Sequence, residues 1–444
     1  MQRRDPALLE GSPLPTLLLF ALPIVMGNIF QQLYNIVDAI VIGKFLGNLP
    51  LAGISVASPV TDVANSVIIG GSIGVGVLAA NIFGAGDMPR LKRCHSTALI
   101  GGLAISLLLA LLGVAFSGAV LRAQGTDEEV CREALRYLYI VMAGMPFCFL
   151  YNYYASMLRS CGNSRVPFVI LLASSLLHGA LDLIIVALLG FGIEGVALST
   201  VFCQLFSAGW CVVYTHRHYP ALALSRGDLR FSLPVGREVL GYAWAAAMQQ
   251  AAICIGRLLV QGSLSSLGAD TVTGYNMGVR AEQFLFCFSQ GISAALAVCV
   301  SQNLGHGSRD RARRFYLRGV LSAALLALLL SWVYRLNAAG IISLFSDEPA
   351  VINAGAEYIL FMAFFYIMAY VDELTQGFFR GLGRIRLTMV FTLGQMLLRV
   401  LLSFPLAPRY GITGIALSVL GGWVLQFAVE FTYGIRTALK LRDA

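Results

Sequence analysis

The chain has 444 residues, of which 58% are hydrophobic and only 12% charged, and it carries a formal net charge of +8. A soluble domain carries roughly 25% charged residues, so this composition excludes an ordinary soluble protein. At roughly 20 apolar residues per span, the length allows about a dozen membrane crossings.

The stretch "MQRRDPALLEGSPLP" is a short basic leader, and the apolar run after it is too long for the core of a cleavable signal peptide. Twelve apolar spans are predicted in chain order: 15–44, 51–80, 94–119, 134–158, 166–190, 193–215, 238–262, 271–302, 315–338, 354–379, 387–407 and 411–435. With the N-terminus inside, 22 of the 31 basic residues fall on cytoplasmic segments, among them Arg3, Arg4, Arg90, Lys92, Arg93, Arg226, Arg230, Arg309, Arg311 and Arg442. That asymmetry places both termini in the cytoplasm and makes the positive charge a matter of orientation, not of nucleic-acid binding. Nine cysteines are scattered without a CxxC pair and read as small apolar residues.

The chain also repeats itself at an offset of 221 residues: Gly53 meets Gly274, Gly70 Gly291, Ser72 Ser293, Gly86 Gly307, Arg90 Arg311, Arg159 Arg380 and Gly162 Gly383. After a two-residue slip, "GVALS" (195–199) meets "GIALS" (414–418). Six spans per half is an even number, so both halves enter the membrane in the same direction, as a parallel repeat. The expected architecture is an all-α polytopic membrane protein of twelve helices in two six-helix lobes: an N-terminal lobe (1–215), a cytoplasmic connector (216–237) and a C-terminal lobe (238–444). Two such lobes rocking about a cleft between them would make a transporter.

The segments "LPIVMGNIFQQLYNIVDAIVIG", "NIFGAGD", "MLRSCGNSRVP" and "QGFFRGLGRIR" stand in the order and places of motifs in the MATE (multidrug and toxic compound extrusion) transporters. The chain resembles that family over nearly its whole length, and within it the bacterial DinF-like branch. The resemblance implies a secondary active exporter of organic cations or amphiphiles, in antiport with H⁺ or Na⁺. It also implies a cation site in the first lobe formed by Asp38, with Gln31, Tyr34, Asn152, Asp182 and Thr200 as partners.

The residues read by themselves agree in part. A carboxylate within a span costs several kcal/mol unless paired, hydrated or protonated, and Asp38 sits in a run otherwise almost wholly apolar. Gln31, Tyr34, Asn35 and Asp38 share one helix face by their spacing, and His178 and Asp182 share another at i, i+4. Two acids brought together in low dielectric need a proton or a cation between them; Na⁺ at Asp38 and Asp182 is one option. His178 departs from the asparagine usual in the family. An imidazole nitrogen is a poor ligand for a hard cation but titrates near neutrality, so it either carries the coupling proton or merely orients Asp182.

The 221-residue shift leaves no counterpart of these acids in the C-terminal lobe, which has membrane-placed charges of its own: Arg257, Arg280, Glu282, Asp372, Glu373 and Arg399. Pairing among them, for instance Asp372 or Glu373 with Arg399, would explain their tolerance. Asn35, Glu282, Arg399 and Asp372 are candidates for contact with substrate. "GAGD" and "GHGS" lack the strand and the Lys-Ser/Thr of a phosphate loop. No cofactor is expected, and the energy would come from an ion gradient. The expected partners are the lipid bilayer and small cationic or amphiphilic substrates, for a monomer in the inner (plasma) membrane. A flippase for a lipid-linked sugar remains as an alternative; it would need cationic residues at its substrate. No DDxxD or HExxH motif supports a membrane-embedded enzyme.

Overall fold

A computed structural model describes residues 6–225, 227–264 and 267–441. Arg3, Arg4, Arg226 and Arg442, counted above on the cytoplasmic side, lie outside the described residues. The first half contains α1 (Pro6–Glu10), α2 (Pro13–Phe45), α3 (Asn48–Ala85), α4 (Met88–Ala123), α5 (Glu128–Ala143), α6 (Met145–Ser160), α7 (Arg165–Asp182) and α8 (Ile193–His218). The second contains α9 (Leu233–Leu264), α10 (Ala269–Gly305), α11 (Arg309–Leu336), α12 (Ala338–Ser343), α13 (Pro349–Met362), α14 (Tyr366–Gly381) and α15 (Ile385–Lys440).

Nine of the described helices are long and apolar enough to cross a bilayer singly, and the pairs α5–α6 and α13–α14, bent by 48° and 63°, each make a broken span. α15 contains Gly411 in a non-helical, positive-φ conformation just after Pro405 and Pro408. That break divides it into two, which gives the expected twelve. Helices are the form such a chain must take, because backbone groups in hydrocarbon have no water to bond.

The repeat is written into the backbone. Four pairs of glycines with positive φ are separated by 221 residues: Gly47 and Gly268 (84° and 86°), Gly86 and Gly307 (76° and 86°), Gly162 and Gly383 (90° and 74°), and Gly190 and Gly411 (66° and 59°). Left-handed turns of this kind cost a residue with a Cβ far more than glycine. The two broken spans also match, since the breaks at Gly144 and at residues 363–365 are one repeat apart.

The chain forms two compact units. One comprises Met26–Ala251, and the other joins Ala7–Val25 to the chain from Ala252 onward. This differs from a division at the connector by two helix segments: the start of α2 belongs with the second unit and the start of α9 with the first. In the first unit, a Cβ on Gly70 of α3 would stand 2.5 Å from the Ala246 carbonyl of α9. In the second, a Cβ on Gly291 of α10 would stand 2.5 Å from a Val25 methyl of α2. Val25 and Ala246 are themselves 221 residues apart, so each unit seats the opening helix segment of the other repeat against a glycine.

In lipid there is little hydrophobic force between helices, and small residues that permit close approach take its place. The buried stretch of α3 is accordingly rich in Gly, Ala and Ser, from Gly70 to Gly84. α4 instead exposes Leu107, Leu108, Leu111, Leu112 and Phe116, the expected dress of a lipid-facing helix. The connector lies against the start of α4. Lys92 meets Asp228 at 3.3 Å, Arg90 meets Glu238 at 2.8 Å, and Ser96 exchanges hydrogen bonds with the Arg230 backbone. All nine cysteines are free.

Candidate functional site

Inside the first unit, α2, α7 and α8 bring Asp38, Tyr34, His178, Asp182, Ser199 and Thr200 together. One ligating atom from each of Asp38, His178 and Asp182 lies within 4.8 Å of the other two. His178 and Asp182 are almost wholly buried, while Asp38 is partly exposed. The i, i+4 spacing on α7 sets His178 Nδ1 at 2.7 Å from an Asp182 oxygen. Directly after Asp182 the helix widens into a π-helical segment, Leu183–Leu188, a distortion that recurs at functional sites.

The hydrogen bonds constrain where a proton can sit. Thr200 Oγ1 donates to the Val196 carbonyl at 2.9 Å and stands 2.9 Å from His178 Nε2. A hydroxyl has one proton, so with that proton given to Val196, Nε2 carries its own hydrogen and donates to Thr200. Nδ1 then faces both the Tyr34 hydroxyl, at 2.8 Å, and Asp182. Either Nδ1 is protonated and pairs with a carboxylate, or Asp182 is protonated and faces a neutral ring. Ser199 Oγ stands within hydrogen-bonding distance of both the other Asp182 oxygen and the Val196 carbonyl. One oxygen of Asp38 lies within 4.8 Å of one of Asp182, and two acids that close in low dielectric need a proton or a cation between them. Asp38 Oδ1 has no partner among the described residues.

Of the residues expected here, Tyr34, Asp38, His178, Asp182 and Thr200 are brought together. Gln31 and Asn35 share their helix with Tyr34 but are exposed. Asn152 donates its amide to the Cys148 carbonyl one turn earlier on α6, at 2.9 Å. Ser199 was missed; it stands beside Thr200 at the end of the repeated "GVALS" motif, the one signal that could have singled it out.

The charges of the second unit pair differently from the expectation. Arg399 meets neither Asp372 nor Glu373; it donates to the Tyr275 hydroxyl at 3.2 Å. Glu373 instead pairs with Arg380 at 2.9 Å, two helical turns along α14, and Arg380 also donates to Ser293. The reason is geometric: Arg380 shares a helix face with Glu373, whereas Arg399 is held against α10. Asp372 is buried with neither carboxylate oxygen hydrogen-bonded among the described residues. Glu282 accepts hydrogen bonds from Tyr358 at 3.1 Å and Tyr366 at 3.0 Å.

The MatE family model matches residues 23–184 and 245–404, one stretch in each repeat. The chain belongs to the MatE family of membrane transporters. Among curated proteins, this MATE chain is 25% identical over 447 residues to the probable multidrug resistance protein YpnP of Bacillus subtilis, covering 97% of this chain and 98% of that one. It is 22% identical to a probable multidrug resistance protein NorM of Thermotoga maritima, over 96% and 90% of the two chains. It is also 25% identical to an FAD transporter of Shewanella oneidensis, over 79% of each. In fold, the MATE chain superposes with a TM-score of 0.93 on the outward-facing conformation of a multidrug resistance MATE family transporter, at 18% identity and with both chains fully covered.

Proposed function

We propose that this MATE chain is a secondary active multidrug exporter that expels cationic or amphiphilic compounds in exchange for protons. The observation that carries the proposal is the Asp38–His178–Asp182 cluster, whose ligating atoms lie within 4.8 Å of one another, close enough for a proton to be shared between Nδ1 and the two carboxyls. With that proton absent, the two acids carry two negative charges in a low-dielectric setting, an arrangement that demands a counter-cation. A cationic substrate or Na⁺ supplies one. Protonation from the outer side neutralises the cluster and weakens its hold on that cation, and because the groups interact strongly they titrate as a unit. His178 favours H⁺ over Na⁺ as the coupling ion, since a nitrogen stands where a hard cation prefers oxygen.

Substrate efflux from proteoliposomes, under an imposed pH gradient and separately under an imposed Na⁺ gradient, tests this. Efflux driven by the pH gradient alone is the expected result; a response only to Na⁺ would leave His178 as a support for Asp182. The same reading takes the protein to act as a monomer in the plasma membrane without a cofactor, both termini inside. A cysteine introduced as Ser225→Cys in the connector should then resist maleimide added outside intact cells, and ready labelling would reverse the orientation. The flippase reading draws on a different feature, the arginines Arg257 and Arg399 of the second unit, and is served less well by an acidic cluster.

A further inference from the structure

The second unit holds a corner of opposite character to the acidic cluster. Gly256 lets α9 approach α15 so closely that a Cβ there would stand 2.8 Å from Met396 Sδ. That contact brings Arg257, the next residue, into the electrostatic reach of Arg399, Tyr275 and Glu282. Arg257 is exposed, although protein crowds it on most sides, and it has no ion-pair partner among the described residues. Arg399 is buried, with 8% of its surface exposed. One of its terminal nitrogens donates to Tyr275, while Nε has no hydrogen-bond partner among the described residues.

Among the described residues a single acid answers these two guanidinium groups. Glu282 stands in their field, but both its oxygens are engaged by tyrosine hydroxyls, one by Tyr358 and one by Tyr366. Gly278 sets the first of these contacts by admitting the Tyr358 ring, whose Cδ1 would lie 2.8 Å from a Cβ at that position. Tyr358 packs edge-on against Tyr275, with centroids 5.1 Å apart. With Glu282 ionised the corner carries one more positive charge than negative, has a buried guanidinium N–H with no acceptor among the described residues, and is walled by aromatic rings. A guanidinium is a planar fork suited to the oxygens of phosphate or carboxylate. A charged arginine exposed within a span is costly by itself, by roughly 2.5–3.5 kcal/mol on insertion scales, and a bound anion removes that cost.

We infer that Arg257 and Arg399, with Tyr275, form a binding site for the oxyanion head of an anionic amphiphile, distinct from the acidic cluster of the first unit. Arg257 makes the accessible contact and Arg399 the buried one. Glu282 competes with the ligand for the same guanidinium groups, and the tyrosine hydroxyls hold it back.

Isothermal titration of the purified full-length protein in phosphatidylcholine nanodiscs tests this with three probes: dodecyl phosphate, inorganic phosphate and dodecyltrimethylammonium. Dodecyl phosphate should bind, and at least about tenfold more weakly to Arg257→Gln and Arg399→Gln. Glu282→Gln should bind it more tightly, because the competing charge is gone while both tyrosine contacts survive; a merely structural carboxylate would not give that gain. Binding of inorganic phosphate with the same variant pattern supports the site and names a free oxyanion as sufficient. Binding of dodecyl phosphate alone supports it and names an amphiphile. Arg257→Gln is exposed and should stay folded even where Arg399→Gln does not, so it decides the matter. Unchanged dodecyl phosphate affinity in Arg257→Gln, weaker affinity in Glu282→Gln, or binding of the ammonium probe in place of the phosphate overturns the inference.

Discussion

Tyr34 and His178 meet edge to face, with ring centroids 4.9 Å apart, planes at 86°, and the Tyr34 hydroxyl 2.8 Å from Nδ1. The tyrosine thereby joins α2 to the ring nitrogen of α7 that faces Asp182. Tyr34→Phe keeps the ring contact and removes one hydrogen bond, worth about 1–2 kcal/mol. One pKa unit is 1.36 kcal/mol, so the pH at half-maximal efflux should move by about one unit while thermal stability changes little. A pH profile of proteoliposome efflux reads this, and an unmoved profile would place Tyr34 outside the proton equilibrium.

Asp38→Asn and Asp182→Asn each remove an ionisable group while preserving shape, and in the second variant the new amide oxygen could still accept from Ser199. Each variant should lose gradient-driven efflux by at least about tenfold yet run as a monodisperse peak at wild-type expression. Drug resistance at the wild-type level in both would remove the cluster from the coupling step.

His178→Asn returns an oxygen donor to the cluster and takes away its titrating nitrogen. Efflux driven by a pH gradient should fall, and efflux driven by a Na⁺ gradient should rise relative to wild type. The ratio of the two rates is the measurement, because it is independent of how much protein inserts.

Adjacent glycines on α3 should behave oppositely. Gly70→Ala forces a methyl against the Ala246 carbonyl, a backbone atom that cannot rotate away, and should cost about 1–3 kcal/mol as overpacking does. Gly71→Ala meets nothing within 4 Å and should be neutral or stabilising by up to about 1 kcal/mol through helix propensity. Thermal unfolding followed by fluorescence separates the two.

Asp228, in the connector, is held at a pKa of about 2 by the Ser225 backbone N–H, then the Ser225 hydroxyl, then Lys92. A depressed carboxyl stabilises the folded form above its unfolded value of 3.8 and loses that contribution as pH falls toward about 2. The group is exposed, so the effect is local and small. Proteolysis of the connector should quicken between pH 4 and pH 2 with an acid-active protease, and Asp228→Asn should flatten that dependence.

What the sequence made readable was whatever leaves a local trace. Hydropathy marked the spans, and glycine spacing marked the repeat. Spacings of three and four put Tyr34 with Asp38 and His178 with Asp182. Other features depend on which helix lies next to which, and no periodicity encodes that. The α2 stripe was read as one face, yet the face is shared unequally: Tyr34 and Asp38 turn to α7 while Gln31 and Asn35 stay exposed. The corner of Arg257, Tyr275, Glu282, Tyr358 and Arg399 draws on four helices more than 140 positions apart at its extremes, and no motif could announce it. The Glu373–Arg380 pair was present as a seven-residue spacing on one helix.

The exchange of opening segments between the two units bears on how the protein is made. The glycine face of α3 waits for residues near Ala246, which the ribosome supplies only after all of the first repeat has been inserted. The segment ending at Val25, by contrast, is inserted first and stands idle until α10 is synthesised. Neither repeat is therefore a self-sufficient folding module during biogenesis. Two polypeptides produced by cutting the gene at the connector would each lack a segment they need, and should yield a stable transporter only when co-expressed.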